Sequence, residues 1–137
     1  MLRRPVFFRD IRLGIVSDVV FDEPLRRALG LDVRCGDGKH RFLPLGACEI
    51  AGDGIAVDSA LVLMSQELEF YRAKGRSLTA LRGERVRRGA AELGTLADIE
   101  LRADGEIAAV HLDGHDRHSV SPVPGLTIGP DSLRRAV

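Results

Sequence analysis

The densest group of potentially reactive side chains is the segment HLDGHDRH, which contains His111, His115 and His118 with two aspartates between them. Imidazole and carboxylate groups are competent metal ligands, and three histidines that converge can hold zinc or nickel. A solvated loop is the alternative, because His111 ends a predicted strand while the other two histidines lie around an Asp-Gly turn. We therefore predict no resident cofactor and keep a metal site on these three histidines as an alternative.

The two cysteines, Cys35 and Cys48, are the candidate nucleophiles, and they lie on strands predicted to be neighbours. A nucleophilic cysteine needs an electropositive, partly exposed site and a positioned base, for which His40 is the nearest candidate in sequence to Cys35. A plain strand cysteine is a small buried hydrophobe, and we favour that interpretation. Two cysteines are also too few for a disulfide framework.

The segment CGDGKH has the glycine content of a phosphate-binding loop. Such a loop presents its anion to the N-terminus of a following helix, and none is predicted here, so a hairpin turn is the simpler interpretation. The sequence contains no GxSxG, HExxH or paired CxxC motif. We predict no catalytic residues and expect that the protein is not an enzyme.

The charge composition limits the classes of partner. The 20 basic and 20 acidic side chains give a formal net charge of zero, so no overall field draws the chain to nucleic acid or anionic lipid. Four Arg-Arg pairs would form a phosphate-binding surface only if they converged on one face. The apolar segments are too short for a signal peptide or a membrane span, and we expect a cytoplasmic location without membrane insertion.

One nine-residue pattern occurs twice, as LGIVSDVVF at residues 13–21 and as LGTLADIEL at residues 93–101. Leucine, glycine and aspartate return at the same places, and the apolar positions are kept. Upstream, Val6 is matched by Val86 at the same spacing of eighty residues. A chance match would not extend to its flanks, so the sequence indicates a duplicated small unit.

Each unit has the pattern of short β-strands. In the second copy apolar and polar residues alternate over residues 95–102, the period of a half-buried strand. Asp-Gly pairs at residues 37–38, 53–54 and 104–105 predict hairpin turns, because glycine tolerates the positive φ that these turns require. Five or six strands per unit favour a mainly β fold of two tandem small antiparallel β-barrels, since closure removes open sheet edges.

We place the first unit at residues 1–60 and the second at residues 77–137, joined by a linker helix at residues 61–76. The helix is predicted from apolar residues at helical spacing, and Ser77 is placed to cap a further turn ending near Leu81. The apolar positions of the linker helix are Leu61, Met64, Leu68 and Tyr71.

These residues resemble the PRC-barrel family, whose pattern is a polar-apolar opening strand, then LGxVxDhxh with h apolar, then a glycine-containing hairpin. Residues 4–45 and 84–112 are both similar to this pattern, and the first copy departs from it by the insert EPLRRALG. The resemblance implies antiparallel barrels that serve as docking or adaptor modules, and it implies no shared catalytic residues. The family also includes a domain of a bacterial ribosome-maturation factor.

Within this resemblance, four repeated residues are predicted to be structural. Gly14 and Gly94 are expected at positions of backbone bend or close approach. Asp18 and Asp98 are expected to support turns or to lie on the barrel rim.

One difference between the copies points to an interface. On the face predicted to point outward, the first copy places Val16 and Val20 where the second places Leu96 and Glu100. Something must cover Val20, and the candidates are the linker helix, the other unit or a partner chain.

The leading hypothesis is a non-enzymatic cytoplasmic adaptor that binds a protein partner, for which a second copy of the chain is one candidate. Two alternatives stay open. One is a ribosome- or RNA-associated assembly factor, by analogy with the family. The other is a small metal-binding protein that uses the histidine-rich segment.

Overall fold

The computed structural model describes residues 1–21, 27–52, 54–63, 76–113, 118–121, 126–129 and 131–132. The predicted mainly β class is confirmed, because these residues form two sheets and a single short α-helix. The first sheet contains β1 (Pro5–Phe8), β2 (Ile11–Phe21), β3 (Ala28–Cys35), β4 (His40–Pro44), β5 (Cys48–Ala51), β6 (Gly54–Val57) and β7 (Arg76–Ser77). The second contains β8 (Arg85–Arg88), β9 (Ala91–Leu101), β10 (Ile107–Asp113), β11 (His118–Val120), β12 (Leu126–Ile128) and β13 (Asp131–Ser132).

The strand order is β4-β3-β2-β1-β6-β5 in the first sheet, with β7 paired to β2, and β11-β10-β9-β8-β12-β13 in the second. The predicted antiparallel pairing holds with one exception, since β1 and β6 run parallel. The turn signals are also located correctly. β3 and β4 flank the first Asp-Gly pair, and β9 and β10 flank the third. Of the second pair, Gly54 begins β6, which pairs with β5, and Asp53 lies outside the described residues.

The opening hairpins of the two units are built alike. β1 pairs with β2 in the same register as β8 with β9, so that Val6 lies opposite Gly14 and Val86 opposite Gly94. Each pairing also shifts register immediately after its valine. The sequence pattern repeated at a spacing of eighty therefore encodes one hairpin geometry twice.

The segment between the units differs from the predicted linker helix at both described ends. Ala60–Val62 is a single 3-10 turn, and Arg76–Ser77 is strand β7, while residues 64–75 lie outside the described part of the chain. The predicted cap is confirmed, because the Ser77 hydroxyl accepts a hydrogen bond from the N–H of Ala80. This cap starts the short helix α1 (Leu78–Leu81).

One cluster of buried apolar side chains runs through both units. It joins residues of β2 and β3 to residues of β9 and β10, and both leucines at the ends of α1 belong to it. The hairpin turn between β9 and β10 also reaches the first unit, where the N–H of Ala28 donates to the carbonyl of Gly105 at 2.8 Å. The two units therefore share a core, which burial of apolar surface stabilises as a whole.

Asp18 connects the middle of β2 to the start of the second unit. Its carboxylate is buried, and Oδ1 accepts hydrogen bonds from the N–H groups of Val19 at 2.8 Å and Thr79 at 2.9 Å. The Thr79 hydroxyl donates to Oδ2 at 2.7 Å. Because Thr79 lies in α1, the carboxylate ties the first sheet to the segment that precedes β8.

Asp98, the equivalent residue of the second unit, makes the converse connection. It accepts hydrogen bonds from the N–H of Ile99 at 2.7 Å, from the amino group of Met1 at 3.1 Å and from the N–H of Leu2. Each repeated aspartate thus holds the segment that precedes the other unit's first strand. We call this pair the reciprocal aspartate clasps, and their role differs from the turn or rim role expected from sequence.

The clasps predict energetic coupling between Asp18 and Thr79. We expect Asp18→Ala to lower the free energy of unfolding by about 2–4 kcal/mol, because buried N–H donors lose a charged acceptor. Thr79→Val should lower the free energy of unfolding by about 1 kcal/mol. In urea unfolding, the variant that carries both substitutions should show a coupling energy of about 1–2 kcal/mol between Asp18 and Thr79.

Thr127→Val is the matched control, since Thr127 lies half-buried in β12 with no side-chain hydrogen bond among the described residues. It should change stability by less than about 0.5 kcal/mol. Strictly additive effects of the Asp18 and Thr79 substitutions would contradict the clasp.

Candidate functional site

Each unit has an outer face, which is the side of its central strands that points away from the shared core. In the first unit the cross-strand pairs put Asp18 opposite Asp32 and Val20 opposite Gly30. In the second unit the corresponding pairs put Asp98 opposite His111 and Glu100 opposite Ala109. The two faces are equivalent in position and differ in chemistry.

The outer face of the first unit carries an apolar cluster. Val20 and Phe42 are buried at 0% and 1% exposure, and together with half-buried Leu29 they form a second, smaller apolar cluster. The Phe42 ring lies directly over Gly30, where an added Cβ would collide with the ring and with the carbonyl of Leu43. The absence of a side chain at residue 30 is what lets the aromatic ring pack against this part of the strand.

The predicted interface at Val16 and Val20 is corrected by this packing. The register between β2 and β3 shifts between Val16 and Asp18, so a bulge at Ser17 breaks the alternation that placed both valines on one face. Val16 instead joins the shared core beside Val19. Both valines are buried within the chain, and the cover over Val20 includes Phe42 rather than an exposed docking surface.

A serine, a histidine and an aspartate meet at the edge of this face, an arrangement that sequence analysis missed. His40 Nδ1 lies 2.9 Å from Asp32 Oδ1 and 3.3 Å from Ser17 Oγ. A hydrolytic relay needs the carboxylate on one ring nitrogen and the hydroxyl on the other. Here both contacts converge on Nδ1, so the geometry is that of a buried carboxylate with its polar partners.

The outer face of the second unit carries charged and polar side chains. Glu100 forms an ion pair with Arg4 and lies 3.2 Å from His111 Nε2. The other ring nitrogen of His111 forms a hydrogen bond with the Ser119 hydroxyl of β11. The glutamate that replaces Val20 in the repeat is therefore bound by the N-terminal segment of the first unit.

A groove of about 560 Å³ opens at this junction between the N-terminal segment and β9, β10 and β11. We call it the junction groove. Its volume lies within the range of ligand-binding clefts. Its polar lining residues are Arg3, Arg82, Asp98, Glu100, His111, Asp113, His118 and Ser119.

The histidine-rich segment is only partly described, because His115 lies outside the described residues. His111 and Ser119 are cross-strand partners, whereas His118 pairs with Leu112 one position along. Both histidines line the junction groove, although they are not cross-strand partners. Among the described residues no group of three or more metal-ligating side chains is placed to hold an ion.

The two cysteines are free thiols on strands that do not neighbour each other, contrary to the prediction. The Cys48 thiol donates to the carbonyl of Leu45 at 3.3 Å, and burial raises its pKa to about 11. A thiol with so high a pKa carries little thiolate near neutral pH, which opposes a nucleophilic role for Cys48.

The CGDGKH segment forms the predicted hairpin. Gly38 has a φ of 83°, and its N–H donates to the carbonyl of Cys35. Asp37 accepts two hydrogen bonds from the Arg41 guanidinium and one from the N–H of Lys39. These contacts lower the pKa of Asp37 to about 2, with the Arg41 hydrogen bonds as the main cause. The hairpin therefore uses its own charges to fix the turn.

The repeated glycines lie where backbones come close. A Cβ at Gly14 would lie against the carbonyl oxygen of Arg34, and one at Gly94 would lie 2.9 Å from that of Asp113. Gly94 also has a φ of 147°, which side-chain-bearing residues rarely adopt. Both positions match the close approach expected from the repeat.

Residues 1–62 match the family model of the PRC-barrel domain. The match spans the whole of β1 to β6 and confirms the resemblance for this part of the chain. No curated protein sequence matches the chain. Within the described residues no helix is long and apolar enough to cross a membrane.

The repeat pattern indicated Glu100 as a difference between the two copies. It did not identify the arginines that line the groove beside Glu100. Arg3 and Arg82 are not close in sequence, and only the packing of the two units brings both to one groove. One signal was present. Arg3 occupies the position at which the second copy has Gly83.

The packing of Phe42 on Gly30 predicts that one glycine tolerates an added methyl group and the other does not. Gly30→Ala should lower the free energy of unfolding by about 1–3 kcal/mol, because the new methyl group overpacks against Phe42. Gly36→Ala is the matched control, since an added Cβ there meets nothing within 4 Å. Thermal unfolding by circular dichroism would measure both, and equal melting temperatures for the two variants would contradict the account.

Proposed function

We propose that the chain is a non-enzymatic adaptor of the cytoplasm that binds a protein partner in the junction groove. The second unit would act as a second PRC-barrel-like module whose outer face serves recognition. The family match of the first unit supports the docking role, since the resemblance to PRC-barrel proteins implies such modules. The proposal assigns no catalytic residue.

The observation that carries this proposal is the difference between the two outer faces. Phe42 and Val20 fill the face of the first unit, and the equivalent positions of the second unit hold Ser119 and Glu100. The second face thus has a groove that opens to solvent, whereas the first has an apolar cluster at the equivalent position. A duplicated fold that closes one of two equivalent faces leaves the other available for binding.

The polar groups best placed for chemistry support a binding role rather than catalysis. Asp18 and Asp98 are engaged by N–H donors of the other unit. His40 approaches its serine and aspartate through one nitrogen, and His111 has a partner at each ring nitrogen.

The ribosome-associated alternative gains less support from the described arginines. Of the Arg-Arg pairs, Arg4 is committed to Glu100, whereas Arg87 and Arg88 are exposed on β8. The other two pairs lie partly or wholly outside the described residues. Convergence of the four pairs therefore stays a prediction.

The test blocks the groove without disturbing the fold. Ser119 is exposed in the groove, and Glu49 is exposed on β5 in the first sheet, so Ser119→Trp and Glu49→Trp form a matched pair. Affinity capture from host-cell extract, followed by measurement of direct binding to the recovered protein, should give a partner that binds the wild type and Glu49→Trp equally. Ser119→Trp should weaken that binding at least about tenfold, a loss of about 1.4 kcal/mol.

Both variants should retain the wild-type circular dichroism spectrum and melting temperature. A partner that binds Ser119→Trp as tightly as wild type would overturn the groove as the docking surface. Size-exclusion chromatography of the same proteins shows whether the captured partner is a second copy of the chain.

A further inference from the structure

We propose that the junction groove is an oxyanion-binding site in which Arg3 of the first unit and Arg82 of the second together hold a carboxylate or phosphate group. This inference goes beyond the adaptor function, because the site is defined by the chain's own cations and requires no protein partner. It stands on three observations: the backbone of Arg3, the position of Arg82 and the balance of charge in the groove.

Arg3 is held in a conformation that its side chain disfavours. Its φ is 69°, in the left-handed region, where the Cβ of a non-glycine residue is crowded. The equivalent turn of the second unit uses Gly83, with a φ of 88°. The turns are otherwise alike, since Arg3 and Gly83 each donate an N–H to the carbonyl of β2 or β9 at the matching position.

Arg9 provides an internal comparison. It also has a positive φ, of 53°, where the second unit has Gly89. Its guanidinium lies 5.1 Å from the centre of the Phe8 ring, which gives that side chain a local contact of its own. Arg3 lacks an ion pair within the described residues, and its side chain is exposed in the groove.

Arg82 lines the same groove and is anchored there. Its Nε donates to the carbonyl of Ala97 at 2.9 Å, which anchors the guanidinium while its Nη groups form no ion pair with any described residue. A guanidinium held by one nitrogen is preorganised to donate the others to a carboxylate or phosphate.

The acidic residues of the groove do not cancel these two cations. Asp98 is engaged by the amino group of Met1 and the N–H groups of Leu2 and Ile99, and Glu100 is paired with Arg4. Asp113 has an interaction of its own. Arg3 and Arg82 therefore both line the groove and form no ion pair among the described residues, so a bound oxyanion would give both guanidinium groups a partner.

The test is a ligand titration of the whole chain at constant ionic strength, in which the ¹H–¹⁵N chemical shifts of the backbone amides are monitored. Inorganic phosphate and succinate are the two probes, and each is added to the wild type, Arg3→Gly, Arg82→Ala and Arg9→Gly. At least one probe should give saturable shifts centred on Leu2, Arg82 and β9. The probe that saturates identifies the oxyanion as phosphate or carboxylate.

Arg3→Gly is the decisive variant because glycine relieves the left-handed strain. It should melt at or above the wild-type temperature and yet bind the saturating probe at least tenfold more weakly, as should Arg82→Ala. Arg9→Gly relieves the same strain outside the groove and should bind like the wild type. Non-saturable shifts in all four proteins, or equal affinity in Arg3→Gly and wild type, would overturn the site.

Loss of the oxyanion site would leave the protein-capture result with Ser119→Trp unaffected, so the two proposals fail separately.

Discussion

The reciprocal aspartate clasps are the interaction on which the rest of the structure depends. A carboxylate in the middle of each long strand accepts N–H donors from the segment that precedes the other unit, so Asp18 binds Thr79 and Asp98 binds Leu2. Asp18 is buried and Asp98 is half-buried. A carboxylate removed from water needs hydrogen bonds, and each clasp supplies them across the boundary between units. The clasps fix the N-terminal segment against β9, and this contact builds one wall of the junction groove.

The outer faces of the two units are equivalent in position but differ in chemistry. The first face carries the buried side chains of Val20 and Phe42, with Gly30 leaving room for the ring. The second face carries Glu100, which forms an ion pair with Arg4 in the N-terminal segment of the first unit. One face is therefore apolar, and the equivalent face of the second unit is lined by charged and polar groups. The proposed adaptor and oxyanion roles both arise from that asymmetry.

The sequence predicted the strand-rich class, the hairpin turns, the Ser77 cap and the close approach at both repeated glycines, because these follow from local pattern and backbone sterics. It placed Val16 on the wrong face, because a bulge at Ser17 shifts the alternation and leaves no clear mark in the sequence. It also missed the groove arginines, the role of both aspartates and the Ser17–His40–Asp32 cluster. These depend on contacts between segments distant in sequence, which periodicity does not encode.

Differential scanning calorimetry of the wild-type chain tests the central claim that the clasps and the shared core make the two units one body. The account predicts a single transition in which the calorimetric and van't Hoff enthalpies agree, with a ratio of about 1. Two separable transitions, or a calorimetric enthalpy well above the van't Hoff value, would show that the units unfold independently and would contradict the account.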